Sequence, residues 1–142
     1  MLRRLLTKLR GSGELQSRKL GRAGERLAAR HLRGLGYRIL GRNVKVKIGE
    51  ADIVAEAPDR KTIVIVEVKT RSRGSNRSLL GEIVAPEASV HQTKRRKLRA
   101  IARILVNANG WRDRPVRIDV VAIEWPEGRA KPELRHHVGI ST

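Results

Sequence analysis

The run Thr62 to Lys69 alternates in a way that fixes its geometry before anything else is known. Ile63, Ile65, Glu67 and Lys69 share one face of an extended chain, and Val64, Val66 and Val68 share the other, because side chains along a strand have period two. Apolar residues on both parities predict a strand inside a sheet that is covered on each side. Glu50 to Glu56 is a second strand candidate, and Pro58-Asp59-Arg60 between the two carries turn chemistry. Upstream, Tyr37 to Leu40 and Val44 to Ile48 have strand pattern; downstream, Val116 to Glu124 and Leu134 to Val138 read as closing strands around a loop from Pro126 to Pro132. Two stretches carry helical period instead. From about Arg18 to Arg33, Leu20, Leu27, Ala28, Leu32 and Leu35 fall within one arc, and Gly34 and Gly36 stop the helix. From about Glu87 to Asn107, Val90, Leu98, Ile101, Leu105 and Ala108 form the apolar stripe. The predicted order is helix, three strands, helix, two strands, an α/β arrangement.

Composition narrows the class. A chain of 142 residues is expected to form one domain with its own core, here residues 19–142, preceded by a flexible basic arm over residues 1–18 that Gly11-Ser12-Gly13 interrupts. With no Phe and only Tyr37, Trp111 and Trp125 as aromatics, that core is aliphatic. The absence of Cys excludes a disulfide framework and a thiolate zinc site and suits a cytoplasmic protein. Met1 to Arg10 lacks the unbroken apolar stretch of a signal peptide, and no later segment is apolar enough to span a bilayer, so no integral membrane association is expected. A net charge of +18 points to a polyanionic partner, with nucleic acid ahead of anionic membrane.

Candidate chemistry follows from the hairpin. A turn centred between Asp59 and Arg60 places Asp52 directly across from Glu67, with Cβ atoms roughly 4.5 to 5.5 Å apart. Lys69 lies on the Glu67 side, roughly 7 Å further along. Two carboxylates and an ammonium at a strand end can hold a hard divalent cation such as Mg²⁺ or Mn²⁺ and act on a phosphodiester. The competing reading is a cross-strand ion pair on a solvated surface, and both stay open on spacing alone. A one-residue slip would turn Asp52 to the opposite face.

Glu25 sits at the edge of the first helix's apolar arc, where it either reaches a site at the rim of the sheet or pairs with a neighbouring arginine. Lys94 projects onto the apolar arc of the second helix, where it either snorkels or serves a site. Arg71, Arg73 and Arg77 occupy a Gly/Ser/Asn-rich stretch suited to gripping a phosphate backbone, and Arg96, Arg99 and Arg103 line the polar face of the second helix as a phosphate track or a solvated face. No phosphate-binding loop or nucleophile elbow is present, and His31, His91, His136 and His137 lack ligand spacing, the last two reading as tail decoration.

Four stretches in series, Gly24-Glu25-Arg26-Leu27-Ala28, Gly49-Glu50-Ala51-Asp52-Ile53-Val54-Ala55, Val66-Glu67-Val68-Lys69-Thr70-Arg71 and Arg117-Ile118-Asp119-Val120-Val121, resemble the YraN family of predicted endonucleases. That family is similar to archaeal Holliday-junction resolvases within the PD-(D/E)XK superfamily. The resemblance implies a restriction-endonuclease-like αβββαβ core with a mixed central sheet, Asp52 and Glu67 as metal ligands, Lys69 as the residue that orients water or meets developing charge, and Glu25 as an assisting catalytic group. It matches Lys94 to a basic position of the family's second helix, leaves Glu50 as either a supporting carboxylate or an ion-pair partner, and makes Asp119 structural. The implied activity is metal-dependent hydrolysis of nucleic acid, with DNA, including branched DNA, favoured over RNA. A resolvase-like enzyme favours a homodimer, since two cuts need two sites. The alternative is a non-catalytic nucleic-acid-binding protein on the same fold.

Overall fold

The computed structural model describes residues 2–72, 92–126 and 131–140, with side chains from residue 18 onward. The elements are α1 (Leu2–Gly34), β1 (Arg38–Val46), β2 (Gly49–Glu56), β3 (Ile63–Ser72), α2 (Gln92–Asn109), β4 (Val116–Trp125) and β5 (Glu133–His137). The order matches the helix, three strands, helix, two strands read from periodicity. Their strands form one five-stranded sheet in the order β1-β2-β3-β4-β5. It is mixed: β3 and β4 are parallel and the other pairs antiparallel. A parallel pair needs a long crossover, and the one joining β3 to β4 contains α2.

α1 begins at Leu2, not near Arg18, and runs through Gly11-Ser12-Gly13 without a break. Each glycine inside a helix costs roughly 1 kcal/mol relative to alanine, and the flanking Leu, Arg, Lys, Glu and Gln are strong helix formers. The helix ends as its glycines predict. Gly36 takes φ 91°, Gly36 N–H donates to Arg33 O at 3.0 Å and Tyr37 N–H donates to Leu32 O at 3.0 Å, which satisfies two terminal carbonyls. Leu35 lies beyond the last turn and is 52% exposed, so it does not join the core as its periodicity suggested. Ala108 is likewise exposed at the end of α2, and Val90 lies outside the described residues.

The two strand candidates upstream are one strand, β1, whose pairing shifts register between Ile39 and Gly41. The β2–β3 turn is held by Asp59. Its carboxylate accepts the Lys61 and Thr62 N–H groups at 2.8 and 2.9 Å and the Thr62 hydroxyl at 2.7 Å. Those three bonds, led by the two from Thr62, pull the Asp59 carboxyl down to about 2. The resulting ladder pairs Ile53 with Val66, Val54 with Ile65, Ala55 with Val64 and Glu56 with Ile63. This is the register of a turn centred between Asp59 and Arg60.

The sheet is covered on both faces, as the double apolar parity of β3 requires. On one side Ala28, Ala29 and Leu32 of α1 pack on Ile53, Ala55, Val64, Val66, Val121 and Ile123. On the other, Ile101, Ala102 and Leu105 of α2 pack on Ala51, Val54, Ile63 and Ile65. Among the described residues no helix is long and apolar enough to cross a membrane.

Candidate functional site

Among the described residues four carboxylates are buried, Glu56, Glu67, Asp119 and Glu124, and their partners sort them. Glu56 is bound by Arg114 at 2.7 Å, with Arg38 and Arg60 further out. Glu124 is bound by Arg71 at 3.2 Å and Arg135 at 3.4 Å. Asp119 accepts Arg117 Nε and Nη2 at 2.8 and 3.0 Å, His136 Nε2 lies 2.8 Å away, and the Gly139 N–H donates at 2.9 Å. Arginine's planar fork suits such permanent pairs. Glu67 is paired instead with lysines among the described residues. Its Oε1 lies 3.3 Å from Lys94 Nζ and 3.5 Å from Lys69 Nζ, two point charges on flexible stems.

Glu67 also faces a second carboxyl group. Asp52 is one rung beyond the last registered β2–β3 pair, and its Oδ2 accepts the Val68 N–H at 2.7 Å. Burial, first, and then the Glu67 carboxylate raise Asp52 to about 7, against the opposing Val68 hydrogen bond; Glu25 adds a smaller push in the same direction. The two side chains are within hydrogen-bonding reach of each other, and their proximity favours the protonated form of Asp52.

Three backbone features bring the groups together. Ala51 packs on the α2 side and Ile53 on the α1 side although they share parity, so alternation breaks at Asp52. Across the β1–β2 ladder the flanking pairs are Arg42 with Ile53 and Val44 with Ala51, which leaves Asn43, at φ 49°, facing the Asp52 position. Asparagine is among the few side chains that tolerate this left-handed conformation. Glu25 is set by its neighbour: a Cβ at Gly24 would overlap Thr70 Oγ1, so α1 lies directly against the end of β3.

The structure thus brings Asp52, Glu67, Lys69, Lys94 and, through α1, Glu25 to one end of β3. It explains Lys94's place on the apolar arc, since the ammonium reaches Glu67. Arg71 is committed to Glu124 and only 14% exposed, while Arg73 and Arg77 lie outside the described residues. Arg96 is exposed; Arg99 and Arg103 line a separate groove of about 570 Å³ between α2 and β4, floored by Val106, Val116 and Ile118. Glu50 is half-buried opposite Lys45. Asp119 is structural in its bonding, and His136, read as decoration, is its partner: its ring packs edge-on to His31 at 5.4 Å. Asn43 had no signal in the sequence beyond being an asparagine amid strand pattern.

Oxygen donors such as Asp52 and Glu67 suit a hard cation. Among the described residues no group of three or more His, Asp or Glu side chains could hold an ion alone. A cation here would rest on the Asp52 and Glu67 pair and complete its shell with water and substrate phosphate oxygens, as Mg²⁺ commonly does. The raised Asp52 supports this fit, because a cation would offset the burial and the Glu67 repulsion that disfavour its charged form.

The sequence pattern of the uncharacterised protein family UPF0102 matches residues 24–123. A UPF0102 protein of Mycolicibacterium smegmatis is 38% identical over 131 residues, 92% of this chain and 98% of the relative. One of Geotalea daltonii is 36% identical over 128 residues, 90% and 93% of the two chains. One of Clavibacter michiganensis subsp. michiganensis is 42% identical over 109 residues, 77% and 85%.

Proposed function

The chain belongs to the uncharacterised protein family UPF0102, and we propose that it is a divalent-metal-dependent endonuclease on a restriction-endonuclease-like core, acting on nucleic acid with DNA the favoured substrate. The observation that carries this reading is the Asp52–Glu67 pair: two desolvated carboxyl groups on adjacent strands, one raised to about 7, with Glu67 held by two lysines where the other buried carboxylates among the described residues are held by arginines. Such a pair is destabilised as it stands and becomes favourable when a cation enters. The YraN resemblance of the surrounding segments agrees with it.

Mg²⁺ or Mn²⁺, when bound, supplies a Lewis acid that lowers the pKa of water and screens the phosphorane. The chain's own residues do the rest. Asp52 and Glu67 present oxygens from two strands whose register the Asp59 turn holds. The Val68 N–H holds one oxygen of the Asp52 carboxyl, and the other would be the cation's ligand. Lys69 carries a fixed positive charge beside Glu67, where charge on the attacked phosphate grows. Glu25, from α1, presents a third carboxylate toward Asp52.

One observation favours a second reading. Glu67 is already neutralised by Lys69 and Lys94, which is what a structural ion pair in a non-catalytic nucleic-acid-binding protein would look like. Cleavage of end-labelled four-way-junction, flap, duplex and single-stranded DNA and RNA in Mn²⁺, Mg²⁺ or EDTA separates the two. Cutting that needs the metal and disappears in Glu67→Ala supports the nuclease; tight binding with no cutting of any substrate supports the binding protein.

A further inference from the structure

Beside the carboxylates, on the α1 side of β1, lies an open depression of about 350 Å³ lined by Arg22, Glu25, Arg26, Arg42 and Asn43. Arg22 and Arg26 are one helical turn apart on α1 and so share a face. Arg42 comes from β1, across the gap. All three are exposed, and no ion pair among the described residues engages any of them. Six other arginines in the sheet and its connecting turns, at positions 38, 60, 71, 114, 117 and 135, are paired with carboxylates. Three arginines facing one carboxylate leave the depression strongly positive.

Two of its residues tie it to the carboxylate pair. Glu25 lines the depression and acts electrostatically on Asp52. Asn43 lines it too, and its left-handed backbone occupies the β1 position facing Asp52. The depression therefore adjoins the position of Asp52.

We infer that this depression holds an internucleotide phosphate of the substrate strand, next to the phosphate that is cut, with Arg22, Arg26 and Arg42 as its ligands. The inference rests on the reading that the substrate is nucleic acid. It places the substrate strand along α1 and β1, away from Arg99 and Arg103, which line their own groove at the far part of α2. Arginine suits the task because its fork matches phosphate oxygens. The contact positions the strand and carries no sequence preference.

The test is binding in EDTA, which is independent of whether the protein cuts. Fluorescence-anisotropy titrations of labelled single-stranded and duplex oligonucleotides with the full chain are run over a salt series. Arg26→Gln and Arg42→Gln are each expected to flatten the slope of log K against log salt by about 0.7 on single strands and 0.9 on duplex, equally across sequences. Arg112→Gln, an exposed arginine on the loop after α2, leaves the slope unchanged. Neutral methylphosphonate linkages, placed one at a time, identify the phosphate: the linkage that weakens wild-type binding has no effect on Arg42→Gln. Arg42→Lys keeps most of the slope, which excludes misfolding as the cause. Wild-type slopes in both Gln variants, or a linkage penalty that persists in them, would overturn the inference. Absence of cutting by wild type in any metal overturns the nuclease reading alone and leaves these slopes interpretable.

Discussion

Asp52 and Val68 are joined across the β2–β3 hairpin by a 2.7 Å hydrogen bond from the Val68 N–H to Asp52 Oδ2. The bond holds a carboxyl group that burial and Glu67 raise to about 7 against an ordinary value of 3.8. Between about pH 4 and 7 the folded chain keeps a proton that the unfolded chain has released. Metal-free stability should therefore fall as pH rises through that window, and Mg²⁺ or Mn²⁺ should restore it above pH 7. Thermal melts with and without divalent cation check this. Asp52→Asn should remove both the pH slope and the cation effect, and equal slopes in the two proteins would contradict the assignment.

On the nuclease reading, Lys94 and a cation would compete for Glu67 Oε1, to which the ammonium is 3.3 Å away. Lys94→Ala should bind Mn²⁺ several-fold more tightly than wild type in calorimetric titration at pH 7.5. Weaker or unchanged affinity would mean that the ammonium does not occupy the cation's ligand.

Gly24 lets α1 approach β3 closely enough for Glu25 to act on Asp52. In Gly24→Ala the new methyl overlaps Thr70 Oγ1 and comes within 3.0 Å of its Cβ and 3.1 Å of its Cγ2. Overpacking of this kind costs about 1 to 3 kcal/mol, read from urea unfolding. Adding Thr70→Ala should recover part of the loss, since it removes Oγ1 and Cγ2 but leaves Cβ. A neutral Gly24→Ala would show that the helix can shift without strain.

Asp119 binds Arg117, His136 and the Gly139 N–H from full burial. Burial would raise its carboxyl, but the hydrogen bonds from His136, Arg117 and Gly139 outweigh it and the group lies below the ordinary carboxylate value. Its contribution is present above about pH 4 and is lost as pH falls through the depressed value. Asp119→Ala should cost about 3 to 5 kcal/mol at neutral pH and flatten acid unfolding, both read from urea denaturation between pH 3 and 7. The nuclease reading places no chemistry on Asp119, so a stable Asp119→Ala protein lacking only cleavage would count against this role.

What the sequence by itself determined is local. Period-two alternation set Glu67 and Lys69 on one face of β3, and the Asp59 turn set the rung at which Asp52 meets Glu67. Helical period located α2 and the second half of α1 and marked Lys94 as misplaced on an apolar arc. Each of these depends on residues a few positions apart, where backbone sterics and hydrogen bonding act directly. Only the tertiary structure decided which carboxylates are spent in the fold and which are not. Arg71 belongs to Glu124, 53 residues away, and His136 to Asp119 on the neighbouring strand; neither pairing has a period to betray it. Asn43 faces Asp52 because β1 and β2 pair at that rung, and Glu25 acts on Asp52 because a glycine lets α1 come down on Thr70. The raised Asp52 is itself a tertiary product. Desolvation is its largest cause, and a carboxyl group loses its water only when the helices close over the sheet.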